Sequence, residues 1–507
     1  MRITKSRPAS RVSERWLWAA ALLLIFGLGW LAGNGGWHRH LADWMTRFWC
    51  DPRAALSAWA ARADIPTLYV DCKFANMQKL ATQRDRALEA GAHLAEATEA
   101  VPARLTLDNR TVDVDMRLPE IEAAALAGSR WPFVVTVRNG KALRDMSRLI
   151  LWPADETTYF GLTYRAALRA RHIPATASYY VNLTVNGTGW GLYLVEEVPS
   201  TVLMEAQGFS PQSVVVVFDR RAYLEAQPLV VDGGFAYARV IVFRGDNDAR
   251  DDPALAAIHA DVVRLLRGVE RGIHAPSTIF DPQTLADFMA LTMLWRGTPT
   301  LDWRSLYLLY DPTTRRFTPI GSSALPGTML PLPAAFTADP IIQRAYARSL
   351  ATFGDPTFLT TLEQGEDWRT DTAVAPVGIL SEHQTRMRAL VMPARSLVAA
   401  VAESEGAWQL ILTNVTPFPV EVLALDVGER ALLSLDPAWV LEADRARLLD
   451  AADGIILPAQ TGDTAPSIVV RVPLTVLRAV APAMPETINV VTRIWGLDAQ
   501  IVVPLEW

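Results

Sequence analysis

One carboxylate in this chain stands where a reacting hydroxyl would need it. Asp302 opens the stretch LDWRSLYLLYDPTTRRFTPIGSSALP, Leu301 to Pro326, just before a short apolar strand, a tight turn and a second strand. An acid so placed orients an acceptor hydroxyl during phosphate transfer, provided that further oxygen ligands hold a metal ion between the phosphates. The second strand instead delivers Gly321, Ser322 and Ser323. The competing reading of Asp302 is a turn or cap residue without chemistry. Two further acids, Glu196 and Glu197, end a strand. Adjacent strand positions face opposite ways, so at most one of them enters a pocket and the other faces solvent.

The elements that must position these acids are legible in the surrounding pattern. SYYVNLTV and WGLYLVEEV flank Asn186-Gly187 and predict a hairpin, since Asn-Gly between alternating apolar runs suits a tight turn with positive φ. The glycines of NGTGWG do not form a phosphate loop, because the spacing is not GxGxxG and a strand follows instead of a helix. FDPQTLADFMALTMLW predicts a helix with Asp281 as its cap and Pro282 at its first position, leading directly into the Asp302 stretch. Upstream, TLYVDCKF reads as a half-buried strand and NMQKLATQRDRALEAGAHL as a helix stopped by glycine. RLTLD, TVDVDMRL and FVVTVR are strands around turn residues, 159 to 173 is a helix ending before Pro174, and VVVVF is a short buried strand. QRAYARSLATF and HQTRMRALVMPARSLVAAV read as helical by period. From Gly406 onward six short strands, AWQLILTNVT to AQIVVPLEW, recur between Pro, Gly and Asp, as in a small β-sandwich.

Ahead of these elements, Trp16 to Trp37 is a run without charge, WLWAAALLLIFGLGWLAGNGGW. At about 1.5 Å per residue it spans a bilayer core of roughly 30 Å. Arg2, Lys5, Arg7, Arg11 and Arg15 precede it against the single acid Glu14, so the tail stays cytoplasmic and the bulk of the chain is exported. The expected localisation is a bacterial inner membrane, with everything after the anchor periplasmic or extracellular. The seventeen tryptophans include several near this boundary. A formal net charge of −6 without an internal basic run argues against a nucleic-acid partner. Cys50 and Cys72 are the only cysteines, and their pairing is left open. Neither belongs to a CxxC, the seven histidines are scattered, and no Walker, HExxH or GxSxG motif occurs.

The run from Ile65 to about Ala402 resembles the spore-coat protein H (CotH) kinase-like family, in its membrane-anchored bacterial branch. PTLYVDCKFANMQKLATQRDRALEAG is similar to that branch's opening strand and helix, and VPARLTLDNRTVDVDMRL to the strands that follow. YYVNLTVNGTGWGLYLVEEV is similar to the family's hairpin with paired glutamates, and TPTLDWRSLYLLYDPTTRRFTPI to its catalytic-loop region. The resemblance implies a divergent kinase-like domain that transfers phosphate from ATP to protein hydroxyls; with the transmembrane helix and C-terminal β-sandwich read from the sequence, the expected chain is α+β. The implied order is a basic tail over 1–15, an anchor over 16–37, a juxtamembrane helical segment over 38–64, the CotH-like domain over 65–402 and the sandwich over 406–507.

Carried over residue by residue, the resemblance breaks at the chemistry. The catalytic-loop acid corresponds to Asp302, but the amide that follows it falls at Ser305 and the metal acid within Gly321-Ser322-Ser323. The Arg-Leu-Lys-Gly element is MRLPE, with Pro119 and Glu120 in place of Lys and Gly. The next lysine falls near Arg130, which keeps the charge but not the geometry. The helix glutamate falls at Gly161. Without a metal acid, loop amide and phosphate lysine, the triphosphate is poorly neutralised. The expectation is a pseudokinase with Asp302 as a vestigial catalytic acid. Arg130, Glu196 and Glu197 are the remaining cofactor-facing candidates. No cofactor is expected. The partner would be an envelope protein or exopolysaccharide machinery, with the chain acting as a scaffold. The alternative is an active atypical kinase using ATP and Mg²⁺ in a rearranged site. A carbohydrate-processing enzyme ranks last, because it needs two carboxylates at a set separation.

Overall fold

Alternation along TLYVDC and TVDVDMR does make strands, and they close on themselves. In the computed structural model, which describes residues 65–506 apart from 95–98, 155–160, 227–234, 236–237, 245–246, 249–251, 297–300, 323–331, 364–376, 405, 429–430, 450–453, 461–463 and 482–486, helices and strands are mixed along the chain. The chain divides into two compact units, Met1–Ala58 and Trp59–Trp507, and every described residue belongs to the second. The basic tail, the run Trp16 to Trp37 and the segment 38–64 lie outside the described residues. Among the described residues no helix is long and apolar enough to cross a membrane.

The first layer is a closed barrel of β1 (Thr67–Cys72), β2 (Val101–Leu107), β3 (Arg110–Arg117), β4 (Phe133–Val137), β5 (Arg148–Pro153), β6 (Ser178–Val185) and β7 (Thr188–Glu197). Around the wall the order is β1-β2-β3-β4-β5-β7-β6, and β1 closes it by pairing parallel to β6. The inward rows carry Val70, Leu105, Val114, Val135, Leu149, Val181 and Val195, all essentially without exposure. Asn186 and Gly187 turn β6 into β7 with φ of 49° and 79°, the twist a two-residue hairpin needs. Helix α1 (Phe74–Ala90) stops at Gly91, whose φ of 85° is left-handed.

The second layer is an antiparallel sheet of β8 (Val214–Asp219), β9 (Arg239–Arg244), β10 (Asn247–Asp248), β11 (Tyr307–Asp311) and β12 (Arg316–Ile320), in the order β10-β9-β8-β11-β12. Helix α2 (Gly161–Ala170) lies between barrel strands β5 and β6 in sequence, and α3 (Pro253–Glu270) packs on β9. Helix α4 (Pro282–Arg296) is buried on every side from Leu285 to Trp295, and Asp281 caps it by accepting the Thr284 N–H at 2.8 Å.

Beyond α5 (Pro340–Gly354) and α6 (Val377–Val391), the structure corrects the helical reading of the segment around residue 400. Pro393 ends the helix, and LVAAVAES is strand β13 (Leu397–Ser404), paired along its whole length with β14 (Ala407–Asn414). The boundary drawn between 402 and 406 therefore cuts a hairpin turn. Alanines with good helix propensity mask the period-two burial of Leu397 and Ala399. With β15 (Val420–Asp426), β16 (Leu432–Ser434), β17 (Ile455–Leu457), β18 (Ser467–Pro473), β19 (Asn489–Ile494) and β20 (Gln500–Glu506), these strands hydrogen-bond into an eight-stranded sheet. Its buried face shares a single hydrophobic cluster with α4, α5 and α6. Tyr346 packs 5.8 Å from Phe418, and Arg348 Nε donates to the Gly496 carbonyl at 3.0 Å.

Candidate functional site

Asp302 begins a one-turn 3-10 helix, Trp303–Ser305, that delivers the chain into β11. Its carboxylate caps that turn by accepting the Arg304 N–H at 3.0 Å. The Arg304 side chain then folds back on it. Nε reaches both carboxylate oxygens at 3.1 and 3.2 Å, and Nη2 reaches Oδ2 at 2.6 Å. Nη1 continues to Glu122 Oε1 at 2.5 Å. Glu122 lies in a two-residue strand, Ile121–Glu122, paired with Ala92–His93 beside the barrel. The result is an Asp302–Arg304–Glu122 triad in which Asp302 and Arg304 are buried, only 9% and 6% exposed, and Glu122 is half-buried. Burial by itself would lower the Arg304 guanidinium, but its two carboxylates outweigh that and hold it above its ordinary range.

The neighbouring positions are equally committed. Ser305 Oγ donates to the Asp302 carbonyl at 3.3 Å, and Ser322 Oγ donates to the Ser305 carbonyl at 2.8 Å. Arg296 Nη2 reaches the Ser322 carbonyl at 2.7 Å. Gly321 is packed so closely that a Cβ there would lie 2.1 Å from Leu168 Cδ1. Ser323 lies outside the described residues. Among the described residues no group of three or more His, Cys, Asp or Glu stands together as a cation cage. The residues at 302, 305, 321 and 322 therefore do not fit the metal-bound nucleotide that the family resemblance implies. One carboxylate is spoken for, Gly321 is tightly packed against Leu168, and the Ser322 hydroxyl is already engaged.

Glu196 and Glu197 do face opposite ways, but neither is solvated as one of them was expected to be, with exposures of 4% and 9%. The register puts Glu197 in an inward row with Leu149, Val135 and Met116, and Glu196 in the outward row with Ile150, Val134 and Arg117. The outward face is buried here because α2 and the chain after it cover it. Arg165 Nη2 meets Glu196 Oε1 at 2.5 Å, Thr176 Oγ1 donates to it at 2.9 Å, and Trp152 Nε1 donates to Oε2 at 3.1 Å. Inside the barrel, burial and then the nearby Asp145 push Glu197 up to about 7. Arg130 is exposed at the rim, where its Nη1 lies 3.7 Å from the place a Cβ on Gly191 would take, beside Tyr193. Asp302, Glu197 and Arg130 share no hydrogen bond or ion pair with one another among the described residues.

Sequence reasoning did not find the partners. Arg304 carries a faint local signal, since it stands two residues past the acid in a tight turn. Glu122, Arg165 and Thr176 arrive from distant segments and carry none. Cys72 is a free thiol, buried, with its ionisation pushed up by that burial. Compared with known proteins, the chain matches no family model and no curated protein.

Proposed function

We propose that the chain is a membrane-anchored pseudokinase of the CotH-like kind, acting as a binding or assembly scaffold for exported polysaccharide or a surface protein in the cell envelope. The observation that carries this reading is the closure of Arg304 over Asp302. A catalytic base must present a free carboxylate to the acceptor hydroxyl, and both oxygens of Asp302 already accept from Arg304. The occupied space at Gly321 supports it further, because a metal-binding acid cannot be supplied from that position. The apolar run Trp16 to Trp37, flanked by the basic tail, supports the anchor and its orientation.

The test is a thermal-unfolding titration of the full-length chain in detergent with ATP and Mn²⁺ or Mg²⁺, run alongside Asp302→Asn. A ligand at a hundred times its dissociation constant stabilises the native state by about 2.7 kcal/mol. The expected result is no metal-dependent shift at millimolar nucleotide. A metal-dependent shift that disappears in Asp302→Asn would establish the atypical-kinase alternative instead.

A further inference from the structure

Apart from the acids already described, three guanidinium groups collect where the outer barrel wall meets the second sheet. In the outward cross-strand row, Arg117 is followed by Val134, Ile150, Glu196 and Ser178, and Arg148 stands on the same face two residues along β5. Arg220 follows β8, and Tyr307 opens β11 opposite Val217. The electrostatics join them: Tyr307 feels Glu196, Arg220 and Arg148, while Arg117 feels Arg148. Burial, then repulsion from Arg148, pushes Arg117 below its ordinary range, and burial lowers Arg220.

These cations have no carboxylate in direct contact among the described residues. Arg117, Arg148 and Arg220 take part in no ion pair among the described residues, whereas Arg165 takes Glu196 and Arg304 takes Asp302 and Glu122. Arg220 spends Nη2 on the Glu120 carbonyl, but its buried Nη1 has no partner, and neither has the buried Ser178 hydroxyl. The Tyr307 hydroxyl makes no hydrogen bond among the described residues. Other charged groups face the cluster: Glu99 faces Arg117 and also lies 3.6 Å from His93, and Asp219 lies beside Glu120. Glu122 and then Glu120 act on Arg220, and Glu120 and then Glu99 on Arg117; Glu122 is already paired with Arg304, and burial followed by Asp219 pushes Glu120 up, which weakens it as a standing counter-ion. A buried unpaired donor is costly unless a ligand meets it, and clustered guanidiniums are the groups that hold a tetrahedral oxyanion.

We propose that Arg117, Arg148, Arg220 and the Tyr307 hydroxyl form a receptor for a compact dianionic oxyanion, a phosphate or phosphomonoester group, bound without metal. This inference does not rest on the scaffold reading and stands whether or not the chain shares the CotH-like ancestry.

The experiment is calorimetric titration of the full-length chain in detergent at fixed ionic strength, with chelator present, using inorganic phosphate and glycerol phosphate in separate arms. Saturable binding is expected with at least one of them. Binding of glycerol phosphate alone marks an ester-linked ligand, and binding of inorganic phosphate alone marks the free ion. Arg148→Gln, a substitution at an exposed position that leaves the core intact, should weaken binding about tenfold or more, the scale of one lost charge-assisted bond. Arg220→Met should do the same, while Arg130→Gln should change nothing. No saturable binding in either arm at millimolar concentration overturns the proposal, as does binding that Arg148→Gln leaves untouched. Nucleotide binding that needs metal and Asp302, with both phosphate arms silent, would overturn this site and the scaffold reading together. Silent phosphate arms without nucleotide binding would overturn this site alone.

Discussion

Arg304 lies against Asp302 with three contacts of 2.6 to 3.2 Å, two residues away along the same turn. The pair is local in sequence but joins distant parts of the fold, because the same guanidinium reaches Glu122 beside the barrel. Removing the cation is therefore more damaging than neutralising one acid. Arg304→Ala leaves the buried Asp302 and the half-buried Glu122 without their shared cation and should cost about 3–5 kcal/mol, whereas Asp302→Asn keeps the cap and should cost about 1–3 kcal/mol. Denaturant unfolding of the two variants checks the order. An Arg304→Ala protein as stable as the parent would mean that Asp302 does not depend on this clamp.

Gly321 predicts the failure of an attempted repair. Introducing an acid at one of the three positions where the resemblance would place a metal ligand, as Gly321→Asp, drives Cβ to 2.1 Å from Leu168 Cδ1 with Ala175 Cβ at 3.4 Å behind it. Overpacking of this kind costs about 1–3 kcal/mol, and burial of the new carboxylate adds to it. The variant should unfold at lower temperature and gain no Mn²⁺ affinity by calorimetry. A folded Gly321→Asp protein that binds Mn²⁺ tightly would contradict the packing argument.

Glu197 makes stability depend on pH. Its carboxyl titrates at about 7 in the folded barrel against 4.5 in the open chain, so the folded state binds the extra proton between those values. Stability associated with the protonated acid is complete below about 4.5 and is lost as pH rises through about 7. Glu197→Gln should flatten this part of the curve and make the chain more stable than the parent at pH 8, by about 1–3 kcal/mol. Thermal unfolding from pH 4.5 to pH 8 decides it. Parallel curves for parent and variant would show that Glu197 is ionised throughout.

Most strands and the main helices could be read from residues alone where one face is buried and the period is clean, as in TVDVDMR, SYYVNLTV and the Asp281-capped helix. The reading failed at LVAAVAES because alanine is at home in both structures and pairing with β14 decides between them. For the last hundred residues strand spacing gave the strands but not which edges meet, such as the parallel contact of β13 with β20 at Ala399 and Ala400. At the site, the sequence supplied Asp302 but not the residues that engage it. The triad with Glu122, the Arg165 partner of Glu196 and the convergence of Arg117, Arg148 and Arg220 depend on segments brought together only by the fold. No spacing rule reaches that far.

The parallel seam between β1 and β6 has a kinetic meaning as well. Asn186 Oδ1, in the turn after β6, accepts the Cys72 N–H from 114 residues away, and the seam beside it forms last in chain order. Until the hairpin emerges, the early strands remain an open sheet with two bare edges able to pair with any neighbouring chain. Such distant pairing is slow to find. A chain that emerges from its N-terminus must therefore carry these strands unsealed for the time it takes the hairpin to follow, so the vulnerable interval for aggregation or chaperone capture is set by the rate at which the chain is delivered.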